Sequence, residues 1–409
     1  MMPETLVLGA GIVGVSAALA LQQQGHAVTL IDRAAPGKET SFGNAGIIQC
    51  EAVEPYAMPL APRALWQIAS GRSNDVRWTP AALMGQGEAL LRYARHSRPL
   101  AHARAIAAYR RLIPEACTSH APLIEAAGAD DLIRRDGYLE LFRSNRGLDE
   151  GRAMARRFAE DYGVAVQVLD GAGLRATEPT IRRDLPGALH WRDCWTVSDP
   201  AALTARYADL FARRGGRILR GDAMGLHRAG SGWRLALADG GRVDARAAVI
   251  ALGPWSPALA GRFGLRVPML LKRGYHRHYR PATTPRHTLA DLEQGVVYAP
   301  MRAGLRICTA ADLAAQPSPD PRQLRRGEAA AAELLGPLDP VEPQAWTGRR
   351  PCMPDMLPVI GAVPGQPGLW ANFGHGHHGL TLAAISGVLL ADAMAGGTGF
   401  PELAPVRLT

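Results

Sequence analysis

The chain has 409 residues, 47% hydrophobic and 20% charged, which is enough apolar material for two or three domains, or two interleaved ones. No uninterrupted apolar run reaches the ~18 residues that a bilayer span needs, so a membrane-embedded protein is excluded. The net charge of +9, 46 Lys+Arg against 37 Asp+Glu, comes from arginines scattered along helices (Arg92, Arg95, Arg98, Arg104, Arg110, Arg111). No basic block with interleaved aromatics accompanies it, which argues against a nucleic-acid-binding module.

Leu6-Val7-Leu8 reads as a short buried strand, and Gly9-Ala10-Gly11-Ile12-Val13-Gly14 follows it directly. An alanine-rich run of helical period continues to Gln24 and stops at Gly25; Ala27–Ile31 reads as a second strand ending in Asp32. Strand, G-x-G-x-x-G turn, helix, second strand and acid, in that order and spacing, predict a dinucleotide site. Gly9 permits the turn, Gly11 lets backbone approach a pyrophosphate, and Gly14 lets helix and strand pack closely. The helix start offers unpaired N–H groups to the phosphates, and Asp32 accepts hydrogen bonds from a ribose diol.

The loop Ser41-Phe42-Gly43-Asn44-Ala45-Gly46 suits backbone lying against a ligand, and a helical cap is expected from about Pro80 to Gly128. Gly137–Phe142 alternates as a strand, Asp149–Tyr162 is helical, and Ala188–Thr196 is strand-like. Ser198-Asp199-Pro200 starts a helix with a capping residue and an early proline. Strands are expected at Arg217–Leu219, Trp233–Leu237, Ala247–Leu252, Pro268–Tyr279, Gly295–Tyr298 and Leu305–Thr309, and a helix at Arg322–Leu335. Glycines then return in Asn372-Phe373-Gly374-His375-Gly376-His377-His378-Gly379, before a helix Leu380–Ala395. A second glycine-rich helix start so far from the first suits a long cofactor touching both ends of the chain. The five cysteines (Cys50, Cys117, Cys194, Cys308, Cys352) form no C-x-x-C pair, so neither a zinc knuckle nor a disulfide framework is expected, and a reducing cytoplasm fits. The first strand begins within a few residues of Met1, leaving no room for a signal peptide.

In order along nearly its whole length, the chain resembles the FAD-dependent amino-acid oxidoreductases related to D-amino-acid dehydrogenase, glycine oxidase and sarcosine oxidase. The resemblance is carried by the N-terminal fingerprint, the Thr40–Gly46 loop, and Ala251-Leu252-Gly253-Pro254-Trp255-Ser256. It continues through Gly348-Arg349-Arg350-Pro351 with Pro354-Asp355 and Pro358–Gly361, and ends at the glycine–histidine turn. It implies an α/β fold: a Rossmann-like FAD domain from segments 1–50, 196–260 and 345–409, and a substrate domain with a large antiparallel or mixed sheet from 51–195 and 261–344. FAD is implied at Gly9, Gly11, Ile12, Val13, Gly14, Asp32, Arg33, Ser41, Asn44, Ala45, Gly46, Gly253, Trp255 and the turn Gly376, His377, His378, Gly379, Leu380 and Thr381.

The implied reaction is hydride removal from the α-carbon of a D-amino acid, with electrons passed to a quinone or other acceptor and peripheral contact with the inner membrane as an option. D-hydroxyproline or another cyclic amine, sarcosine or glycine, and a flavin subunit of a larger dehydrogenase are the alternatives. Arg350 matches the family's carboxylate-binding arginine, a role that suits a planar two-point donor. Tyr275 and Tyr298 are expected on strands lining the substrate cavity, and His377 near the flavin. Ile47 and Ile48 stand where some relatives carry a polar residue, so no histidine base is expected there. His375, His377 and His378 cluster without a carboxylate or cysteine, so no metal is expected. Cys352 stands near the cysteine that binds flavin covalently in sarcosine oxidases, but the spacing around it differs, and non-covalent FAD is expected.

Overall fold

Leu6, Val7 and Leu8 are each at most 1% exposed, so the first strand is covered on both faces, as a strand in the middle layer of three must be. The computed structural model describes residues 4–71, 74–314 and 316–408. Its main strands are β1 (Glu4–Leu8), β2 (Ala27–Asp32), β3 (Tyr138–Phe142), β4 (Gly187–Trp191), β5 (Arg217–Arg220), β6 (Ala247–Ile250), β7 (Leu270–Pro281), β8 (Thr288–Asp291), β9 (Val296–Met301), β10 (Gly304–Thr309), β11 (Trp346–Cys352), β12 (Val359–Ala362) and β13 (Leu369–Phe373). The helices used below are α1 (Ile12–Gln23), α2 (Pro62–Ala69), α3 (Pro80–His96), α4 (Pro99–Leu112), α5 (Pro114–Ala127), α6 (Asn145–Tyr162), α7 (Pro200–Arg213), α8 (Arg322–Leu335) and α9 (Ala383–Met394).

The first sheet runs β5-β2-β1-β6-β13-β12, parallel except for β12. On one face lie α1 and α9, both rich in alanine. They approach so closely that a Cβ on Gly387 would stand 2.7 Å from the Ser16 carbonyl oxygen. On the other face a meander through His227–Ala229, Gly232–Ala236 and Arg242–Ala245 buries Trp233 against Leu6, Leu8 and Ile31.

The second sheet runs β11-β7-β10-β9-β8-β3-β4, antiparallel apart from the β8–β3 pair. Alternation splits its faces. Tyr298, Leu305 and Ile307 pack with Leu324, Ala331 and Leu334 of α8. Val297 and Cys308, one residue out of phase, line a cavity on the other face.

The expected elements are present, with informative differences. The cap is three helices rather than one region, because Pro80, Pro99 and Pro114 each open a new helix at its first turn. The third of them, α5, joins the layer of α7 and α9 through His120, whose ring meets Tyr207 Oη at 3.0 Å and Leu380 O at 2.8 Å. The strand-like stretch Ala188–Thr196 is two strands, β4 and Trp195–Val197, divided by a turn. The last helix begins at Ala383, since Gly376–His378 first forms a single 3₁₀ turn. Trp346–Cys352, assigned from sequence to the nucleotide-binding segment, pairs instead with β7 in the large sheet, from Leu270↔Cys352 to His276↔Trp346. Cys50 and Cys117 form a disulfide with Cα atoms 6.9 Å apart, contrary to the expectation of none. Their separation of 67 residues carries no local signal; only the docking of α5 brings them together. Among the described residues, no helix is long and apolar enough to cross a membrane.

Candidate active site

A cavity of about 1430 Å³ lies between the ends of β1 and β2 and the open face of the large sheet. Its narrow end is built by the glycine turn. Gly9 has φ +108°, and a Cβ there would lie 2.5 Å from the Ala251 carbonyl oxygen, so no side chain fits. A Cβ on Gly14 would lie 1.8 Å from Gly9 O, which places the start of α1 hard against the end of β1. Gly11, Ile12 and Val13 line the wall, and α1 starts without a side-chain cap or an acid in its first turn. Ile12 N donates to Ser41 Oγ at 2.9 Å.

Asp32 is fixed on the same wall by Ala10 N (2.7 Å) and Ala34 N (2.8 Å), one on each carboxylate oxygen. Each oxygen keeps a lone pair for a diol. Arg33 stacks 4.4 Å over Trp255, and Gly253 lies beside them. An uncapped helix start, a cradle that a Cβ would fill and a fixed carboxylate together fit the pyrophosphate and ribose of FAD.

Ser41, Asn44 and Ala45 continue the wall. Their loop is held from behind by buried Arg306, which donates to Phe42 O (2.8 Å) and Asn44 O (2.7 Å). Gly46 stands off the wall: a Cβ there would meet Val197 O at 2.3 Å, so it lets the loop pass the strand Trp195–Val197. Thr381 is likewise a brace, accepting from Gln49 N (3.1 Å) and donating to Ile47 O (3.4 Å).

Gly376, His377, Gly379 and Leu380 line the same cavity as Arg350. Burial, with the charges of Lys272 and Arg350, holds His377 well below the ordinary imidazole pKa, so this ring is neutral. His378 lies behind, stacked on Tyr56 and 3.1 Å from Tyr109 Oη, its pKa lowered to about 4 by burial. His375 is lowered to about 3, also by burial. Among the described residues no group of three His, Cys, Asp or Glu is arranged to hold a metal.

Arg350 projects from β11 with its guanidinium aimed by two carbonyls: Nη1 donates to Ala310 O and Nη2 to Thr309 O, both at 2.9 Å. Burial lowers its pKa, and none of these contacts is a carboxylate. A half-buried arginine held, among the described residues, by carbonyls keeps N–H groups and net charge for an anion. Gly274, its neighbour on β7, makes the room: a Cβ there would lie 2.7 Å from Nη1 and Nη2. Gly274→Ala should therefore push the guanidinium off its carbonyls and raise the Michaelis constant about tenfold, with flavin content unchanged; an unaltered constant would mean Arg350 does not hold substrate.

The two tyrosines separate. Tyr275 touches the cavity wall, but its hydroxyl is committed, donating to Asp312 (2.8 Å) and accepting from Ser318 N (2.9 Å). Tyr298 is off the cavity: it is 0% exposed, faces α8 and donates to Asp291 at 3.3 Å, because Val297 takes the inward position on β9.

The structure adds residues that sequence reasoning passed over. Lys272 lies directly across from Arg350 in the β7–β11 register, on the cavity, with Nζ 3.2 Å from Tyr93 Oη. It and Lys38 are the only lysines among 46 basic residues, a signal the composition already held. Tyr56 sits edge-on to His377 at 5.2 Å and accepts from Gln49 Nε2 at 3.3 Å. Glu51 and Glu140 line the far wall.

Comparison with known proteins agrees with this geometry. The family model described as FAD dependent oxidoreductase (DAO) matches residues 4–393. A protein of Bradyrhizobium diazoefficiens named D-amino-acid oxidase is 30% identical, covering 100% of this chain and 99% of its own. A Methylobacterium protein named D-amino acid dehydrogenase is 34% identical over 98% of this chain and 97% of its own. The crystal structure of glycine oxidase from Geobacillus kaustophilus superposes with a TM-score of 0.72 at 22% identity, covering 100% of this chain and 99% of that one. With the fingerprint, the carboxylate and the uncapped helix start all on one cavity wall, the chain belongs to the DAO family of FAD-dependent oxidoreductases.

Proposed function

We propose that this protein oxidises free D-amino acids at the α-carbon, giving an imine that water converts to a 2-oxo acid and ammonia. The observation that carries the reading is Arg350, a cavity-facing guanidinium aimed by two carbonyls and lacking a carboxylate among its partners. The relatives named D-amino-acid oxidase and D-amino acid dehydrogenase support the substrate class and its hand.

Bound FAD supplies the hydride acceptor. Arg350 takes the substrate carboxylate at two points, with Lys272 beside it as a second cation. Gly274 leaves room for the Arg350 guanidinium and Gly348 for the Trp346 ring, and both glycines line the cavity. His377, held neutral, adds no competing charge and is too weak a base to hold the ammonium proton, so that proton leaves to water before hydride departs. The C–H electron pair leaves as hydride, the nitrogen lone pair forms C=N, and water then displaces ammonia.

The electrons pass on to a quinone or another acceptor, a reading supported by the relative named dehydrogenase. Peripheral association with the cytoplasmic face of the inner membrane is part of this proposal. It is supported by α2, which has no buried residue, exposes Leu65 (42%) and Trp66 (55%), and contributes Leu65 and Ile68 to the cavity wall. FAD is held without a covalent bond: Cys352 is 7% exposed and stands outside the main cavity's lining. Acid precipitation should then release the flavin into the supernatant; yellow precipitate would contradict this.

The test is an anaerobic screen of the flavin-loaded protein with D- and L-amino acids, hydroxyprolines, sarcosine and glycine. Bleaching of the visible flavin bands by D-amino acids, with equal 2-oxo acid and ammonia, is expected. Bleaching by sarcosine or hydroxyproline alone would overturn the reading.

A further inference from the structure

We infer that the cavity selects amino acids whose side chain is an unbranched aliphatic chain ending in a cation, an ammonium or guanidinium, which Glu140 and Glu51 receive. This rests on the amino-acid reading above and names its substrate class.

The large sheet lays out the complement of such a molecule. In-register residues on neighbouring strands share a face. His276↔Cys308, Cys308↔Val297, Val297↔Ala290 and Ala290↔Glu140 therefore form one row across it. Cys308, Val297, Ala290 and Glu140 all line the cavity. The row ends on β7 at His276; the cationic pair Lys272 and Arg350 stands four residues further along β7 and β11, with the Arg350 guanidinium reaching back to Thr309 O and Ala310 O beside Cys308. At the other end of the row, on β3, stands Glu140, with Glu51 against it. The middle is a floor of small, largely apolar side chains. From β7 to β3 is four strand steps, about 19 Å between backbones at ~4.8 Å each, and the four residues from His276 to Lys272 add an offset of about 13 Å along the strand. The long arms of Arg350, Lys272 and Glu140 take up part of that span, and a methylene chain would take up the rest.

Among the described residues, no basic side chain bonds the carboxylates of the acidic end. Glu140 is 7% exposed; one oxygen accepts from Trp191 Nε1 at 3.0 Å, and among the described residues no donor reaches the other. Glu51 is 5% exposed and accepts from Gln49 Nε2 (2.6 Å), Tyr138 Oη (2.8 Å) and Cys194 Sγ (2.8 Å), all formally neutral groups. Two neighbouring buried carboxylates without a basic partner are costly, and a ligand cation would offset that cost. Burial raises the Glu140 pKa to about 7, with Glu51's charge adding to the rise, so the site can take up a proton when empty and give it up to a cation. Glu54, on the same wall, is already paired with Arg157 and bonded by Tyr162, which leaves Glu140 as the receiving group.

The experiment uses the flavin-loaded full chain. Anaerobic reduction rates over dissociation constants are measured for D-lysine, D-ornithine and D-arginine against D-norleucine and D-norvaline. Binding of 6-aminohexanoate against hexanoate, neither oxidisable at Cα, is read from the flavin spectrum and tryptophan fluorescence. The cationic member of each comparison should win by tenfold or more, and Glu140→Gln, which keeps volume and an acceptor for Trp191, should erase that ratio. Equal or better performance by the neutral compounds overturns the inference while leaving D-amino-acid oxidation intact. Failure of every D-amino acid to bleach the flavin overturns both. Should Glu140→Gln not fold, the wild-type ratio of 6-aminohexanoate to hexanoate still decides.

Discussion

Arg350→Ala should lower kcat/KM by two to three orders of magnitude, while the protein still purifies yellow. Removing one member of a desolvated carboxylate–guanidinium pair costs about 3–4 kcal/mol, and each ~1.4 kcal/mol is tenfold in rate. Among the described residues, Arg350 makes its hydrogen bonds to the carbonyls of Thr309, Ala310 and, at 3.5 Å, Arg273, which water can replace once the side chain is gone. The loss should therefore fall on substrate rather than on folding. Arg350→Lys should recover only part of it, since an ammonium cannot span two carbonyls and two carboxylate oxygens together. Steady-state kinetics with the flavin content measured alongside separate these effects. A change of less than tenfold in kcat/KM would remove Arg350 from the site.

Gly14→Val should abolish flavin binding. Its Cβ would stand 1.8 Å from the Gly9 carbonyl oxygen, and that oxygen belongs to backbone at φ +108° which cannot swing away. The start of α1 must lift, and the phosphate-facing N–H groups move with it. The expected product is colourless protein, with FAD affinity reduced at least about a hundredfold, roughly 3 kcal/mol. Because α1 also packs on α9, some loss of thermal stability should accompany it, so titration of FAD into folded apoprotein, monitored by circular dichroism, is the proper measurement. Flavin retained at wild-type level would contradict the role given to the turn.

The nucleotide-binding end was legible because its information is local. Gly9, Gly11, Gly14 and Asp32 fall within one strand–helix–strand unit, and the spacing of those residues is the geometry. Arg350, singled out through its segment, lines the cavity. The two tyrosines show where that kind of reading stops. Alternation says that Val297 and Tyr298 point to opposite faces, but only the docking of α8 decides which face is core, and α8 took the tyrosine. Lys272 on β7 and Glu140 on β3 are far apart in sequence and are related only through the sheet order β7-β10-β9-β8-β3, while Glu51 lies in a loop that reaches β3 through Tyr138 Oη. The Cys50–Cys117 bridge and the break of the cap into α3, α4 and α5 differ in the same way. The disulfide needed tertiary contact, whereas Pro80, Pro99 and Pro114 had already marked the helix starts. Gly46 and Thr381, grouped with cofactor contacts by their neighbourhood, instead brace the residues that line the cavity.

The central claim is that one cavity holds FAD at the glycine turn and an amino-acid carboxylate at Arg350. It is tested most directly by anaerobic titration of the flavin-loaded protein with the two enantiomers of one amino acid, in wild type and in Arg350→Ala. The D-enantiomer should bleach the wild type stoichiometrically and the L-enantiomer not at all, and the dissociation constant should rise at least about a hundredfold in the variant. Bleaching that ignores the substrate's hand, or that survives unchanged in Arg350→Ala, would contradict it.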